Sequence, residues 1–130
     1  MSSFLPDTHV WLWLQTTPDR LPDHVRELLA DPATTLLLSA ASSWEIAIKY
    51  RLGELPLPRP PAEYVPDRMR LSGVTSLPID HMHALRVADL PDHHDDPFDR
   101  LIVAQAQELS IPVVTADRQL SAYPVDVVPV

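Results

Sequence analysis

Short apolar runs alternate along this chain with longer amphipathic ones, and that alternation constrains the fold more than any other feature. Residues 5–7, 36–38, 74–77, 112–115 and 126–128 read as short strands. Helical stretches are expected between them at 9–15, 22–30, 39–52, 62–71, 80–88 and 97–109. In the second of these, Val25, Leu28 and Leu29 fall at i, i+3 and i+4, one face of a helix. Gly53 stands where the third would end, and Asp80 where the fifth would be capped. Strands joined through helices form parallel sheets covered on both faces, so the expected class is α/β with a mainly parallel central sheet. With 130 residues and no internal repeat, residues 1–130 are expected to form a single domain.

Composition excludes several kinds of chemistry. The chain has no cysteine, so disulfides, zinc–thiolate sites and cysteine nucleophiles are ruled out. Its only glycines are Gly53 and Gly73, which leaves no Gly-rich phosphate loop. Fifteen prolines, several within 56–61, read as stiff connectors and helix starts. No apolar run approaches membrane-spanning length, and no basic segment followed by an apolar stretch marks a secretory leader. The cytoplasm is the expected compartment. Net charge is −8, with nine arginines and one lysine, Lys49. A protein that grips nucleic acid through phosphate neutralisation carries a basic face. Any nucleic-acid substrate here would have to be held by metal ions and local arginines.

Four acids sit on or beside apolar elements. Asp7 and Asp117 each follow a strand, which puts both at one sheet edge if those strands are parallel. Each also has a capping role open to it, Asp7 for the helix after it and Asp117 for the turn 118–120. Glu45 lies among Trp44, Ile46, Ala47 and Ile48 in a helix expected to be largely buried, sharing its face with Ala41, Ile48 and Leu52. Lys49, at i+4, can pair with it. Asp99 shares a face with Ile102, Val103 and Ala106, and is N3 of a helix if Asp96 is its N-cap and Pro97 its N1. Asp96 is assigned mainly to capping, with a site role as the second option. Asp92 and Asp95 read as solvated loop charges. A buried acid needs a partner, and four that converge need a cation.

Other candidates read as structural. His93 and His94 lie beside acids but have no partners at zinc-type spacing, and His81 and His83 fall on different helix faces. The histidines are read as structural or solvent-facing. Trp11, Trp13 and Trp44 are assigned to the core rather than to a base-stacking platform. Ser42 and Ser43 lack the G-x-S-x-G elbow of a serine hydrolase.

The segments LPDTHVW at 5–11, SSWEIAIK at 42–49, DPFDRLIVAQA at 96–106 and VTAD at 114–117 resemble PIN-domain proteins, in particular the toxin ribonucleases of bacterial VapBC-type toxin–antitoxin modules. The resemblance spans essentially the whole chain. The acids are separated by 38, 54 and 18 residues, which suits that family. It implies a three-layer α/β/α sandwich, Mg²⁺ or Mn²⁺ dependence and endonucleolytic cleavage of RNA. It further implies a homodimer held inactive by a cognate antitoxin. Carried onto this sequence, the acidic site is Asp7, Glu45, Asp99 and Asp117, with Thr115 at a small polar position beside it. Pro6 departs from the aliphatic residue usual before the first acid, and removes one backbone N–H.

The chemistry agrees with that implication. Hard divalent ions take oxygen ligands, and Mg²⁺ uses one or two carboxylates plus substrate phosphate. Asp7 and Asp99 are expected as principal ligands, with Glu45 and Asp117 completing the shell or positioning water. An acidic pocket also suits an Arg or Lys inserted by the antitoxin. Three rivals stand beside this reading. A catalytically silent interaction module would not need all four acids. A structure-specific DNA nuclease would need a basic clamp. An aspartyl-phosphate protein would need a D-x-D motif at Asp7 and a lysine after a late strand.

Overall fold

The structure, a computed structural model that describes residues 2–130, has the expected alternation. Strands β1 (Ser2–Pro6), β2 (Thr34–Ser39), β3 (Thr75–Leu77), β4 (Val113–Thr115) and β5 (Val127–Pro129) form one sheet. Helices α1 (Thr8–Thr16), α2 (Asp23–Ala30), α3 (Ala40–Arg51), α4 (Pro61–Ser72), α5 (His81–Arg86) and α6 (Pro97–Leu109) connect them. The sheet order is β3-β2-β1-β4-β5, and every pairing is parallel. Strand β2 is longer than its apolar centre because Thr34 and Thr35 pair with the polar residues Ser2 and Ser3. The fifth helix is shorter than expected: α5 stops at Arg86 and the chain tightens into a 3-10 turn, Val87–Asp89.

Period-two alternation divides the core into layers. Phe4, Leu36 and Val114 point to one face, where they pack with Val10, Leu21 and Val25 of the α1–α2 side. Leu5, Leu37 and Val113 point to the other, against Leu101, Ile102 and Ala106 of α6. A third cluster joins Trp11, Leu38, Ile46 and Tyr64, tying α1 and β2 to α3 and α4. Burying a Val or Leu side chain contributes about 1.5–3 kcal/mol. A one-residue slip would turn each strand's set to the wrong layer, so the register is strongly specified.

Helix ends behave as their sequences dictate. Gly53, at φ 76°, donates to Tyr50 O, and Glu54 donates to Lys49 O, the paired bonds of a Schellman stop for α3. Asp96 caps α6 through Phe98 N–H and Asp99 N–H. Two expectations about tryptophan and α3 fail. Trp44 is 53% exposed, and Ile48 and Leu52 are exposed as well, so α3 buries only Ala41, Ser42, Glu45 and Ile46. Apolar and polar residues are spread round this helix, so no stripe in the sequence separates its inner face from its outer one. Trp11 is fully buried as expected, while Trp13 is half-buried. Among the described residues, no helix is long and apolar enough to cross a membrane.

Candidate metal centre

In sheets of this kind, sites form beyond the carboxyl ends of the strands where the chain's connections diverge to opposite sides. Here that place lies between β1 and β4. Asp7 follows β1 immediately and Asp117 stands two residues past β4. Both capping roles are real: Asp7 accepts from Val10 N–H at 2.9 Å, and Asp117 accepts from Gln119 N–H at 2.9 Å. Each carboxylate has a second oxygen, and that oxygen turns to the site. Asp7 Oδ2 accepts from Thr115 Oγ1 at 2.5 Å, a bond across the two central strands. Thr115 Oγ1 also accepts from Asp117 N–H at 2.9 Å, so one hydroxyl ties two of the acids together.

Glu45 comes from α3 and is 1% exposed. Its Oε2 accepts from Lys49 Nζ, one turn on. Its Oε1 is buried and, among the described residues, has no hydrogen-bond partner. The helix that carries it is docked by a buried bond from Thr8 Oγ1 to Ser42 Oγ at 2.9 Å, which fixes α3 against the start of α1. Ser39, at the foot of α3, donates to Gln105 Oε1 of α6. Gln105 in turn donates to Pro78 O, so the fully buried amide links three elements.

Asp99 projects from the first turn of α6 and its side chain is 15% exposed. Burial pushes its carboxyl up to about 7, and the charges of Asp96, Asp7 and Glu45 push in the same direction against the opposing pull of His94. Burial also raises Asp7, with Glu45 adding to it, while the bonds from Thr115 and Val10 N–H and the nearby His9 act the other way. Burial pulls the Lys49 ammonium down, but its bond with Glu45 and the charges of Glu45, Asp96 and Asp99 leave it above its ordinary value. These groups therefore sense one another as a repelling set of carboxylates with one ammonium among them.

The structure adds a residue that sequence reasoning set aside. His94 is neither solvent-facing nor a core packing residue. Its Nε2 lies 2.7 Å from Asp117 Oδ2 and 3.2 Å from Asp99 Oδ2. Ligating atoms of His94, Asp99 and Asp117 all lie within 4.8 Å of one another. That tight group differs from the expected emphasis on Asp7 and Asp99: Asp7 and Glu45 act on it through charge, and Asp96 keeps its capping role while adding to the field on Asp99. His83 is structural, buried on α5 with Nδ1 accepting from Asp80 N–H. A hollow of about 560 Å³ elsewhere, lined by Arg86, Gln107 and Asp126 among others, gathers no such set, and its arginine is already bonded to Gln107 and Glu108.

The family model for the PIN domain matches residues 4–126. The chain belongs to the PIN domain family. Over 61 residues this PIN domain is 56% identical to Ribonuclease VapC16 of Mycobacterium tuberculosis, a match that covers 47% of the chain and 43% of that protein. The chain thus matches less than half the length of that relative. Its fold is similar to a chain of VapBC2 from Rickettsia felis bound to a promoter DNA fragment, with a TM-score of 0.72 at 15% identity over 98% of both chains. It is likewise similar to a chain of DNA-bound VapBC from Salmonella typhimurium, with a TM-score of 0.71 at 17% identity over 99% of this chain and 98% of that one. The five-stranded parallel sheet with helices on both faces is therefore the PIN fold.

Proposed function

We propose that this PIN domain is a metal-dependent endoribonuclease that hydrolyses RNA phosphodiester bonds, and that it is the toxin of a toxin–antitoxin pair neutralised by a cognate antitoxin. The observation that carries the reading is the gathering of carboxylates beyond the strand ends, with Asp7 and Glu45 buried and Asp99 largely so. Glu45 Oε1 has no partner among the described residues, and burial together with the charges of Asp96, Asp7 and Glu45 holds Asp99 up to about 7. Buried acids without partners cost stability, and a cation relieves several at once. An all-carboxylate set suits a hard divalent ion, Mg²⁺ or Mn²⁺. When bound, such an ion supplies positive charge for the phosphoryl oxygens and makes a water easier to deprotonate.

The protein's own groups have distinct parts. Asp7 and Asp99 would be the principal ligands, and Glu45 and Asp117 would complete the shell or orient the attacking water. Thr115 holds the Asp7 carboxylate in one orientation. Lys49 neutralises one oxygen of Glu45 and leaves the other free. Asp96 organises the first turn of α6, so that Asp99 starts from a fixed backbone.

RNA is favoured over duplex DNA because a chain of net charge −8 lacks the basic field that clamps a duplex. The 56% identical relative is named a ribonuclease, which supports the same choice. The similar solved chains belong to VapBC assemblies, which supports an antitoxin partner. A homodimer and a cytoplasmic location complete the proposal. Incubation of the protein with total RNA and Mg²⁺ or Mn²⁺, with and without chelator, tests the activity. Metal-dependent internal cleavage that disappears in Asp99→Asn is expected. Cleavage insensitive to chelator, or undiminished in that variant, would refute it.

A further inference from the structure

His94 has a bonding pattern that fixes which of its ring nitrogens carries hydrogen. Nδ1 faces the backbone N–H of Asp96 at 3.1 Å. An N–H can only donate, so Nδ1 must present its lone pair. The neutral ring then carries its hydrogen on Nε2, the atom that lies between Asp117 Oδ2 and Asp99 Oδ2. A histidine that ligates a metal through Nε2 needs the opposite arrangement, with a lone pair on Nε2 and an acceptor opposite Nδ1. In this pose His94 is a donor to the two carboxylates.

We propose that His94 is a built-in substitute for the cation, and that its N–H must withdraw from Asp99 and Asp117 before those carboxylates could help to hold a divalent ion. The inference rests on the metal-dependent reading of the site. The N–H occupies the space between two carboxylate oxygens that belong to different elements, α6 and the turn after β4. An ion held by these two carboxylates would need the space that this N–H fills. Without some donor there, Asp99 would face Asp117 as well as Asp7, Glu45 and Asp96.

The loop that carries His94 is anchored on both sides of it. Its start is held by Arg100, which donates to Pro91 O and Leu90 O. Its end is held by Asp96, the α6 cap. Between them, the His93 ring rests edge-on against Tyr123 with centroids 5.1 Å apart. A cleft of about 340 Å³ adjoins the ring, lined by His94 and other residues of this loop and by Gln119.

The two roles, ligand and substitute, give opposite signs in one measurement. Binding of Mn²⁺ to the chelator-treated full chain is followed by calorimetry or by the electron paramagnetic resonance of free Mn²⁺. His94→Ala removes the competitor, and affinity is expected to rise about tenfold or more, as for loss of charge-assisted hydrogen bonds. His94→Gln keeps an N–H donor of similar reach and should stay near the wild type. Weaker or unchanged binding in His94→Ala overturns the inference, whereas no Mn²⁺ binding by either wild type or His94→Ala overturns the metal reading itself. A second measurement needs no variant. Nitrogen NMR of the wild-type ring should show the hydrogen on Nε2 without metal, and loss of the carboxylate contacts when Mg²⁺ is added. A ring with its hydrogen on Nδ1, or an Nε2 coordinated to the added ion, refutes the proposal.

Discussion

Asp99→Asn should make the metal-free protein more stable, and by an amount that depends on pH. The folded protein holds the Asp99 carboxyl near 7, against 3.8 for the unperturbed group. Because the folded pKa is raised, the folded state binds the proton more tightly than the unfolded chain between those two values. Stability contributed by protonated Asp99 is therefore fully present below about pH 4, and is lost as pH rises towards about 7. At about 1.4 kcal/mol for each pH unit, the cost of ionising it in place reaches about 4 kcal/mol. With its side chain only 15% exposed, little of that is screened by solvent. Asparagine keeps the shape and an acceptor towards His94, and carries no charge at any pH. In thermal melts with chelator, variant and wild type should coincide near about pH 4. They should separate by about 10 °C near about pH 8, taking roughly 3 °C per kcal/mol for a chain of this size. Mn²⁺ should then raise the wild type alone, by about 2.7 kcal/mol at a hundredfold excess over Kd. A melting difference that does not change with pH, or a wild type more stable at the alkaline end, would refute the account of Asp99 as a repelled, buried acid.

Thr115→Val removes the hydroxyl that bonds both Asp7 Oδ2 and Asp117 N–H. Metal affinity, measured by Mn²⁺ titration, should fall about 10–100-fold, and with Asp7 Oδ2 and Asp117 N–H left unpaired the fold should lose about 1–3 kcal/mol in a denaturant melt. Asp96→Ala deletes the α6 cap and should cost about 1 kcal/mol in a denaturant melt, with metal-dependent cleavage retained; complete loss of cleavage in a folded protein would move Asp96 into the site. Gln105→Leu leaves Ser39 Oγ and Pro78 O without their buried partner, and should destabilise by about 1–3 kcal/mol without changing Mn²⁺ affinity in the folded protein.

The layer architecture was legible because strands and helices announce themselves by different periods, and each apolar run here is too short to be confused with a helix. The acids were legible for a related reason: a carboxylate next to Ile46 or Ile102 conflicts with its surroundings, and the conflict is visible in sequence. What stayed hidden depends on distance across the fold. His94 is 5 residues from Asp99 and 23 from Asp117, and no helical or strand period brings a loop residue to either. The Thr8–Ser42 bond was hidden in the same way, since neither hydroxyl stands out in sequence. Trp44 illustrates the reverse error. Its type suggested the core, yet it stands in solvent with its edge contact to Phe98 at 4.9 Å, because Glu45 beside it takes the inward position.

Pro6 connects the sheet to the site. A proline in a central strand ordinarily removes a ladder bond and is disfavoured there. In β1 the N–H groups of Leu5 and Asp7 point to β4, where they donate to Pro112 O and Val114 O. The nitrogen of Pro6 points the other way, towards β2, and pairing with β2 has already ended at Phe4 opposite Leu36. The missing N–H therefore costs nothing. From Phe4 onward β1 stays with β4 and separates from β2, which continues to Ser39 in register with β3. Helix α3 begins at the end of β2, on the far side of that separation, and carries Glu45. The buried Thr8–Ser42 bond ties the start of α1 to that helix. The departure at Pro6 thus falls past the last β2 pairing of β1, immediately before Asp7, and it leaves intact the bonds to the β4 side that place that acid.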